Sequence, residues 1–468
     1  MKIPFGKTFS ITDAQLKDGI AQGLVDGFID HDNAYKSRNG LTEFCNVSEY
    51  PIDGMYVDTY GNAIAVSDGL VYTVSTTGVK TVCTGDRLNS GVPCTFCEDD
   101  NYVFIGHGGY IAKVDVGART VSLINTATAP QGVTHVKYIQ GYVVSNGTSG
   151  IPGDTFFTGP FTIADYLTVF EVFNSEALPD GCLAVETDGQ FIYSFGQRSV
   201  EIANNDGVTP WSKYSIGYIP YGIHAPYSLT KIDSTFYWLG VGDNSLRIMR
   251  ITGGNVKTVS TPYDAIINKL GTTLDAYGYT CGIDGHTFYV LQFPTEQLTL
   301  VYHIQMDAWY RWAKYDTDNA VYRGFLGRCQ VYHPTINKNL IGTTTGTIAT
   351  LDGFSDLGGV IRFELTSGNV TGETYKQKRA GRMRFQLQRG RTTSATSVPY
   401  FNWQHRDDGG NWAPERQVSI GALGNYGYLG QLDRLGIYRE RQHRLIFTDD
   451  TCQFVFIDCE EQTKLLQD

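Results

Sequence analysis

Residues 61–84 read GNAIAVSDGLVYTVSTTGVKTVCT. Two apolar runs, Ala63–Val66 and Leu70–Val74, meet at Ser67-Asp68-Gly69, and a second turn falls at Thr77-Gly78. Short β-branched and aromatic runs separated by Asp, Gly and Asn read as antiparallel strands joined by tight turns. The same grammar recurs in DNYVFIGHGGYIAKVDVGARTVSLI at 100–124, VKYIQGYVVSN at 136–146 and DGQFIYSFGQRSVEIANND at 188–206. It continues in DSTFYWLGVGDNSLRIMRITGGNVKTVS at 233–260, DGHTFYVLQFPTEQLTLVYHIQMDAWYRW at 284–312 and NKNLIGTTTGTIATLD at 337–352. Equivalent turns lie about 35–55 residues apart, and a unit of that length cannot bury its own faces, so neighbours must stack.

Stacked units of short antiparallel strands point to a β-propeller. The chain is expected to be all-β, with a propeller over 26–354 of seven blades, six lying within the error of the count. The units lack the Gly-His and Trp-Asp signature of the WD40 type, and a β-solenoid or stacked sandwiches are the alternatives. Asp26–Cys45 reads as a hairpin, and a propeller must cover its free edge, so this hairpin is expected to close the ring on the last blade. Residues 1–25 form an N-terminal arm. Helical periodicity is confined to weak patterns at Ile11–Leu24 and Thr162–Ala177.

After Gly358-Gly359 the pattern changes. Alternating strands at Val360–Leu365, Gly381–Leu387, Pro399–His405, Arg439–Thr448 and Cys452–Asp458 predict a C-terminal β-sandwich over 360–468. The 468 residues include 53 Gly, 30 Tyr and 24 Phe, a mix suited to strands and turns. No apolar run approaches the roughly 18 residues of a membrane span, and no secretory signal is apparent, so assembly in cytoplasm without membrane insertion is expected.

The formal net charge is −11, unevenly distributed. Residues 360–468 carry 15 Lys+Arg and 13 Asp+Glu, leaving 22 basic against 35 acidic residues in 1–359, a formal −13. An acidic body repels nucleic acid. The basic residues gather at Lys376, Lys378, Arg379, Arg382, Arg384, Arg389 and Arg391, with no acid between Thr374 and Arg406. With Arg434, Arg439, Arg441 and Arg444 they are candidate interface residues for an acidic partner, read against a charged strand edge that merely discourages aggregation.

No Walker A loop, HExxH, GxSxG or EF-hand loop is present, so no catalytic residues and no cofactor are assigned. Nine scattered cysteines read as reduced thiols. Cys94-Thr-Phe-Cys97 has the spacing of half a zinc ribbon but no second half, so no metal is expected. The acid pairs Asp99-Asp100 and Asp449-Asp450 occupy turns. His405-Arg-Asp407-Asp-Gly409-Gly-Asn-Trp412 is similar to the Asp-box of sialidases. Asp407, Gly409 and Trp412 match, and in such boxes the Asp caps turn amides while the Trp packs between strands, a turn-stabilising device.

Three segments together resemble the packaged-DNA stabilisation proteins, or tail hub (nozzle) proteins, of short-tailed bacteriophages. They are Phe28-Ile-Asp…Ala34-Tyr…Arg38-Asn-Gly40-Leu41, with Asn39 where Pro is frequent; Pro179-Asp-Gly181…Phe191-Ile…Phe195-Gly196…Val200-Glu201; and Asp407-Asp-Gly-Gly-Asn-Trp412…Ile420-Gly421…Gly427-Tyr428…Arg434-Leu-Gly436…Arg439…Arg444. The resemblance implies a structural virion protein of the tail. It implies a homo-oligomeric ring, typically a hexamer, below the portal and its adaptor. Such a ring retains packaged DNA without sequence-specific contacts, continues the ejection channel, and anchors tail spikes or fibres and the needle. A carbohydrate-active propeller enzyme would instead converge Arg, Glu, Asp and Tyr on the axis; a generic propeller scaffold is the third reading.

Overall fold

The computed structural model describes residues 1–5, 23–148, 153–162, 165–174, 178–207, 211–242, 244–261, 263–372, 374–427 and 430–466. Among these, residues 41–351 form seven antiparallel sheets of four principal strands, at 52–82, 95–123, 136–174, 184–219, 222–258, 277–311 and 327–351, the last completed by Leu41–Asn46. In the fifth, the first edge is split between Gly222–Ile223 and Thr230–Ile232. The turns are the expected ones: Asp68-Gly69 and Asp284-Gly285 both lie in the left-handed region, as a two-residue hairpin of this twist requires.

Each successive pair of sheets shares a core. Ile64 and Val66 of the first sheet pack with Val103 and Ile105 of the second. Ala63 and Ala65, from the same strand, pack with Leu340 and Ile348 of the seventh. Both faces of the inner strand Ala63–Ser67 are therefore buried, which is why Ala63–Val66 is continuously apolar rather than alternating. The ring is completed because the seventh sheet faces the first, and the first strand of every sheet contributes to the wall of one central cavity, from Asp53 to Arg328. This is the β-propeller.

The N-terminal segment departs from expectation. The strand that closes the ring is Leu41–Asn46 alone, paired antiparallel to Thr347–Leu351. The hairpin Gly27–Ile29 and Tyr35–Ser37 instead joins the C-terminal domain, pairing with Val455–Leu465. Phe28, Ile29 and Tyr35 are buried in a core shared by that domain and the last two blades, Phe28 against Phe288 and Tyr35 against Phe456. Residues 1–5 are not a free arm: the Ile3 amide donates to the Cys459 carbonyl, and Ile3 is buried. Residues 6–22, and with them most of the Ile11–Leu24 pattern, lie outside the described residues. Thr162–Ala177 holds the strand Phe170–Asn174 rather than a helix. No helix among the described residues is long and apolar enough to cross a membrane.

The second domain is a two-layer β structure but shares a sheet with the propeller. The sixth blade continues through Gly23–Val25 into Phe363–Thr366, Arg441–Phe447, Tyr400–Asp407 and Arg416–Ser419, nine strands in all. Gly23–Val25 is the splice, parallel to the blade at Val25–Arg311 and antiparallel to Glu364–Thr366. The facing layer orders Gly27–Ile29, Tyr35–Ser37, Val455–Leu465, Lys378–Leu387 and Gly430–Tyr438. Between the layers Phe454 lies 5.0–5.4 Å, centroid to centroid, from Phe363, Phe401 and Phe447.

Two polar clusters join the domains. The fully buried Arg38 guanidinium donates to Asp26 (2.8 Å), to both oxygens of Asp356 (2.8 and 2.5 Å), to the Ala313 carbonyl (3.0 Å) and to the Asn39 carbonyl (3.2 Å). That occupies all its donors. Burial pushes the Asp26 carboxyl up to about 6 despite the pull of Arg38. Nearby, His286 stands between Asp30 (2.8 Å) and His303 (3.0 Å), and the exposed His31 stacks on it at 4.2 Å.

Removing one member of a buried ion cluster leaves the others uncompensated. Arg38→Ala is expected to lower unfolding free energy by about 3–5 kcal/mol, and Arg38→Lys to recover little of it, because an ammonium cannot fork between two carboxylates. Equilibrium denaturation in urea measures both. A second expectation concerns acid. Burial lowers the pKa of His303 and of His135 to about 3 from 6.5. Folded, they bind fewer protons than unfolded, so stability is full above 6.5 and falls as pH drops from there towards 3, by about 1.4 kcal/mol per group per pH unit. Melting curves between pH 7.5 and 4.5 should show this fall, and His303→Gln should flatten it.

Candidate functional site

The basic strand Lys378–Leu387 is not a sheet edge. It lies between Val455–Leu465 and Gly430–Tyr438, so the reading of its arginines as edge protection fails. Ala380, Met383, Phe385 and Leu387 point into the core, while Arg379, Arg382 and Arg384 face outward. A bulge between Ala380 and Arg382 resets the alternation and keeps Arg379 and Arg382 on one face. There Arg382 pairs with Asp433 at 2.7 Å and Arg384 stands opposite Glu460. Arg379, Arg384, Lys376, Arg391, Arg434 and Arg439 are exposed, and Arg389 is half-buried, donating to the Phe385 carbonyl. Ile437, Ile457 and Leu465 are exposed on strands of the same sheet.

Three members of the predicted interface set lie elsewhere. Lys378 is buried, its ammonium donating to the carbonyls of Thr374, Lys376 and Arg439. Arg441 is buried between the two layers. It donates twice to Asp407 (2.6 and 2.8 Å), to Glu461 (2.8 Å) and to the Leu435 carbonyl (2.6 Å), and lies over the Tyr438 ring. These two charges are engaged within the domain and are unavailable to a partner. Arg444 emerges on the other sheet, where it stacks on Trp412 at 3.8 Å.

The acidic turn is a structural device, with its roles redistributed. Asp408, not Asp407, does the capping, and of a different turn: it accepts from the amides of Arg439 and Glu440, between the strands Gly430–Tyr438 and Arg441–Phe447, at 2.9 Å each. Asp408 and Gly409 adopt the left-handed conformation. Asp407 instead anchors Arg441, and Trp412 lies between the guanidiniums of Arg406 and Arg444 rather than between strands. Tyr428 lies outside the described residues. In the propeller, Asp180 accepts from the amides of Arg198 and Ser199 (2.7 and 3.0 Å). A Cβ on Gly196 would stand 2.4 Å from that carboxylate, which accounts for the Pro-Asp-Gly and Phe-Gly pairing noted above.

The charges that converge on the propeller axis were not singled out in the sequence. A cavity of about 270 Å3 there is walled by Asp53, Lys137, Glu186, Tyr227, Tyr277 and Arg328, among others. Arg328 contacts Asp53 at 3.2 Å and lies over Tyr277, and Lys137 pairs with Glu186 at 2.7 Å. Burial raises the Asp53 carboxyl, opposed by Arg328. The usable signal was a charged residue interrupting the first strand of a repeat, as in IDGMYV, VKYI, AVETD and GRCQVYH. The axial acids are each matched by a cation.

A family model described as bacteriophage P22 Gp10, β-propeller, matches residues 36–349. No curated protein matches the chain in sequence. Among solved structures, the computationally designed Ika8 protein is similar over 66% of this chain and 99% of its own, with 11% identity and a TM-score of 0.39. The extracellular domain of the hybrid two-component system BT4673 from B. thetaiotaomicron is similar over 84% of this chain and 47% of its own, with 10% identity and a TM-score of 0.47.

The contrast between buried and exposed arginines is measurable. Arg441→Ala is expected to cost about 3–5 kcal/mol in urea unfolding, since Asp407 and Glu461 would be left without their cation. Arg379→Ala and Arg384→Ala should each stay within about 0.5 kcal/mol of the parent.

Proposed function

Because this chain belongs to the bacteriophage stabilisation family typified by the P22 Gp10 β-propeller, we propose that it acts as the tail hub, a homo-oligomeric ring below the portal and its adaptor. The family makes it a structural component of the phage tail. In our reading six copies assemble around the tail axis, retain packaged DNA, continue its exit channel, and carry spikes or fibres and the needle. Assembly takes place in host cytoplasm.

The observation that carries the ring reading is the state of the propeller axis. Side chains fill it down to a cavity of about 270 Å3, so a duplex cannot pass through one subunit. A channel then has to run between subunits. The formal −13 over residues 1–359 supports a lumen that repels phosphate and leaves DNA mobile. The exposed face bearing Arg379, Arg384 and Arg439, with Ile437 opposite Arg379, combines cationic and apolar groups suited to an acidic neighbour. An enzymatic propeller is disfavoured by the pairing of its axial acids with Lys137 and Arg328.

Light scattering on the purified protein, alone and mixed with portal and adaptor, tests this. A ring-sized complex is expected, weakened by Arg379→Glu with Arg384→Glu while melting is unchanged. A monomer that ignores both partners and cleaves polysaccharide would overturn the reading. Titration with duplex DNA at physiological salt should give no binding tighter than about 10⁻⁵ M.

A further inference from the structure

Two runs of the chain are complementary in charge. No acid occurs from 375 to 405, the run that holds the basic strand Lys378–Leu387. No Lys or Arg occurs between Lys137 and Arg198, a run with seven acids that builds most of the third blade. Of those acids, Asp165 and Glu171 are exposed. Lys137 itself lines the axial cavity, paired with Glu186, so it does not offset them on the outer surface.

The third blade ends in the outer strand Phe170–Asn174, and no strand among the described residues pairs with its far side. Phe170 and Phe173 are buried, whereas Val172 is 46% and the preceding Val169 56% exposed. An exposed edge is ordinarily guarded by Lys or Pro, and this strand has neither. No other outer strand offers the same combination of acid and apolar groups. Those of the first, fourth and fifth blades carry Lys80, Lys213 and Lys257. The second is covered by Thr84–Gly85, and the sixth runs on into the shared sheet. The seventh, Leu41–Asn46, exposes Glu43 but no apolar side chain.

Position adds a second argument. The C-terminal domain grows from the outer strand of the sixth blade and shares a core with the last two blades. In a ring of seven, the third blade is three places from the sixth and three from the seventh, directly across the axis. A contact between surfaces on opposite sides of a subunit is head-to-tail, and its repetition generates a ring when the rotation closes.

We propose that the outer strand of the third blade of one copy docks on the basic face of the C-terminal domain of the next. Asp165 and Glu171 face Arg379 and Arg439, and Val169 and Val172 cover Ile437. The inference rests on the ring reading above and names the two surfaces that build the ring.

Sedimentation velocity on the full chain, alone and with portal and adaptor, tests it. Val172→Asp and Glu171→Arg spoil the edge, and Arg379→Glu spoils the face. All three positions are exposed, so the melting temperature should stay that of the parent. Each variant is expected to weaken assembly by about tenfold or more, and Glu171→Arg combined with Arg379→Glu in one chain should restore it. Val172→Asp mixed with Arg379→Glu leaves one sound edge and one sound face, so the mixture should give dimers and no ring. A parent that assembles, with Val172→Asp and Glu171→Arg assembling equally well, would overturn the proposal and leave the ring reading standing. A parent that stays monomeric with both partners would overturn both.

Discussion

Arg38 donates to Asp26, to Asp356 and to two backbone carbonyls, and these partners come from separate stretches of the chain. Asp26 follows the splice strand, Ala313 follows the sixth blade, and Asp356 lies in the segment that leaves the propeller. The Ala313 amide also donates to Asp26, at 2.8 Å. A charge this deeply buried is tolerated only when every donor is used, so the cluster fixes these segments relative to one another or it does not form. Ring closure by Leu41–Asn46 begins three residues after Arg38, and the shared nine-stranded sheet begins at Gly23–Val25, just before Asp26. Both depend on the same anchored corner.

Arg441 repeats the arrangement inside the second domain. It lies on the shared sheet and reaches Glu461 on the facing layer and Asp407 on the neighbouring strand. The Tyr438 hydroxyl donates to the same Glu461. Apolar contacts among Phe363, Phe401, Phe447 and Phe454 hold the layers together, and the ion cluster sets their register. The molecule therefore uses buried arginines where elements of different origin must meet in one geometry, and leaves the repeats themselves to apolar packing and Asp-Gly turns.

The repeats were legible because every determinant is local. A unit such as 61–84 carries its strands, its Asp68-Gly69 turn and its two apolar faces within its own length, and the propeller follows from stacking. The sandwich was legible as alternating strands. What could not be read were pairings between distant segments. The stretch 26–45 looks like one hairpin, yet Tyr35 pairs with Phe456 and Leu41 with Leu351. Nothing local distinguishes those partners. The same holds for individual charges. Lys378 and Arg379 are adjacent, and only the strand's phase and its bulge decide which is buried. Arg441 and Arg444 stand three positions apart and meet different surroundings. In the acidic turn the box pattern found the turn but assigned capping to Asp407, because sequence similarity cannot see that an arginine 34 positions away has claimed it.

The pairing of the first residues with the strand Val455–Leu465 has a consequence for how the protein is made. The Met1 amine donates to the Glu461 carbonyl, 460 positions away, and the hairpin at 27–37 borders the same strand. During synthesis the propeller blades can form in order, but the early hairpin waits, unpaired, until this late strand has left the ribosome. Phe28 can pack on Phe288 once the sixth blade exists, but Tyr35 is without its Phe456 neighbour throughout that interval. Contacts of such long range fold slowly and leave strand edges open to mispairing. In a cell producing many copies at once, the interval between the first blade and the last strand is when this chain is most exposed to aggregation and most dependent on chaperones.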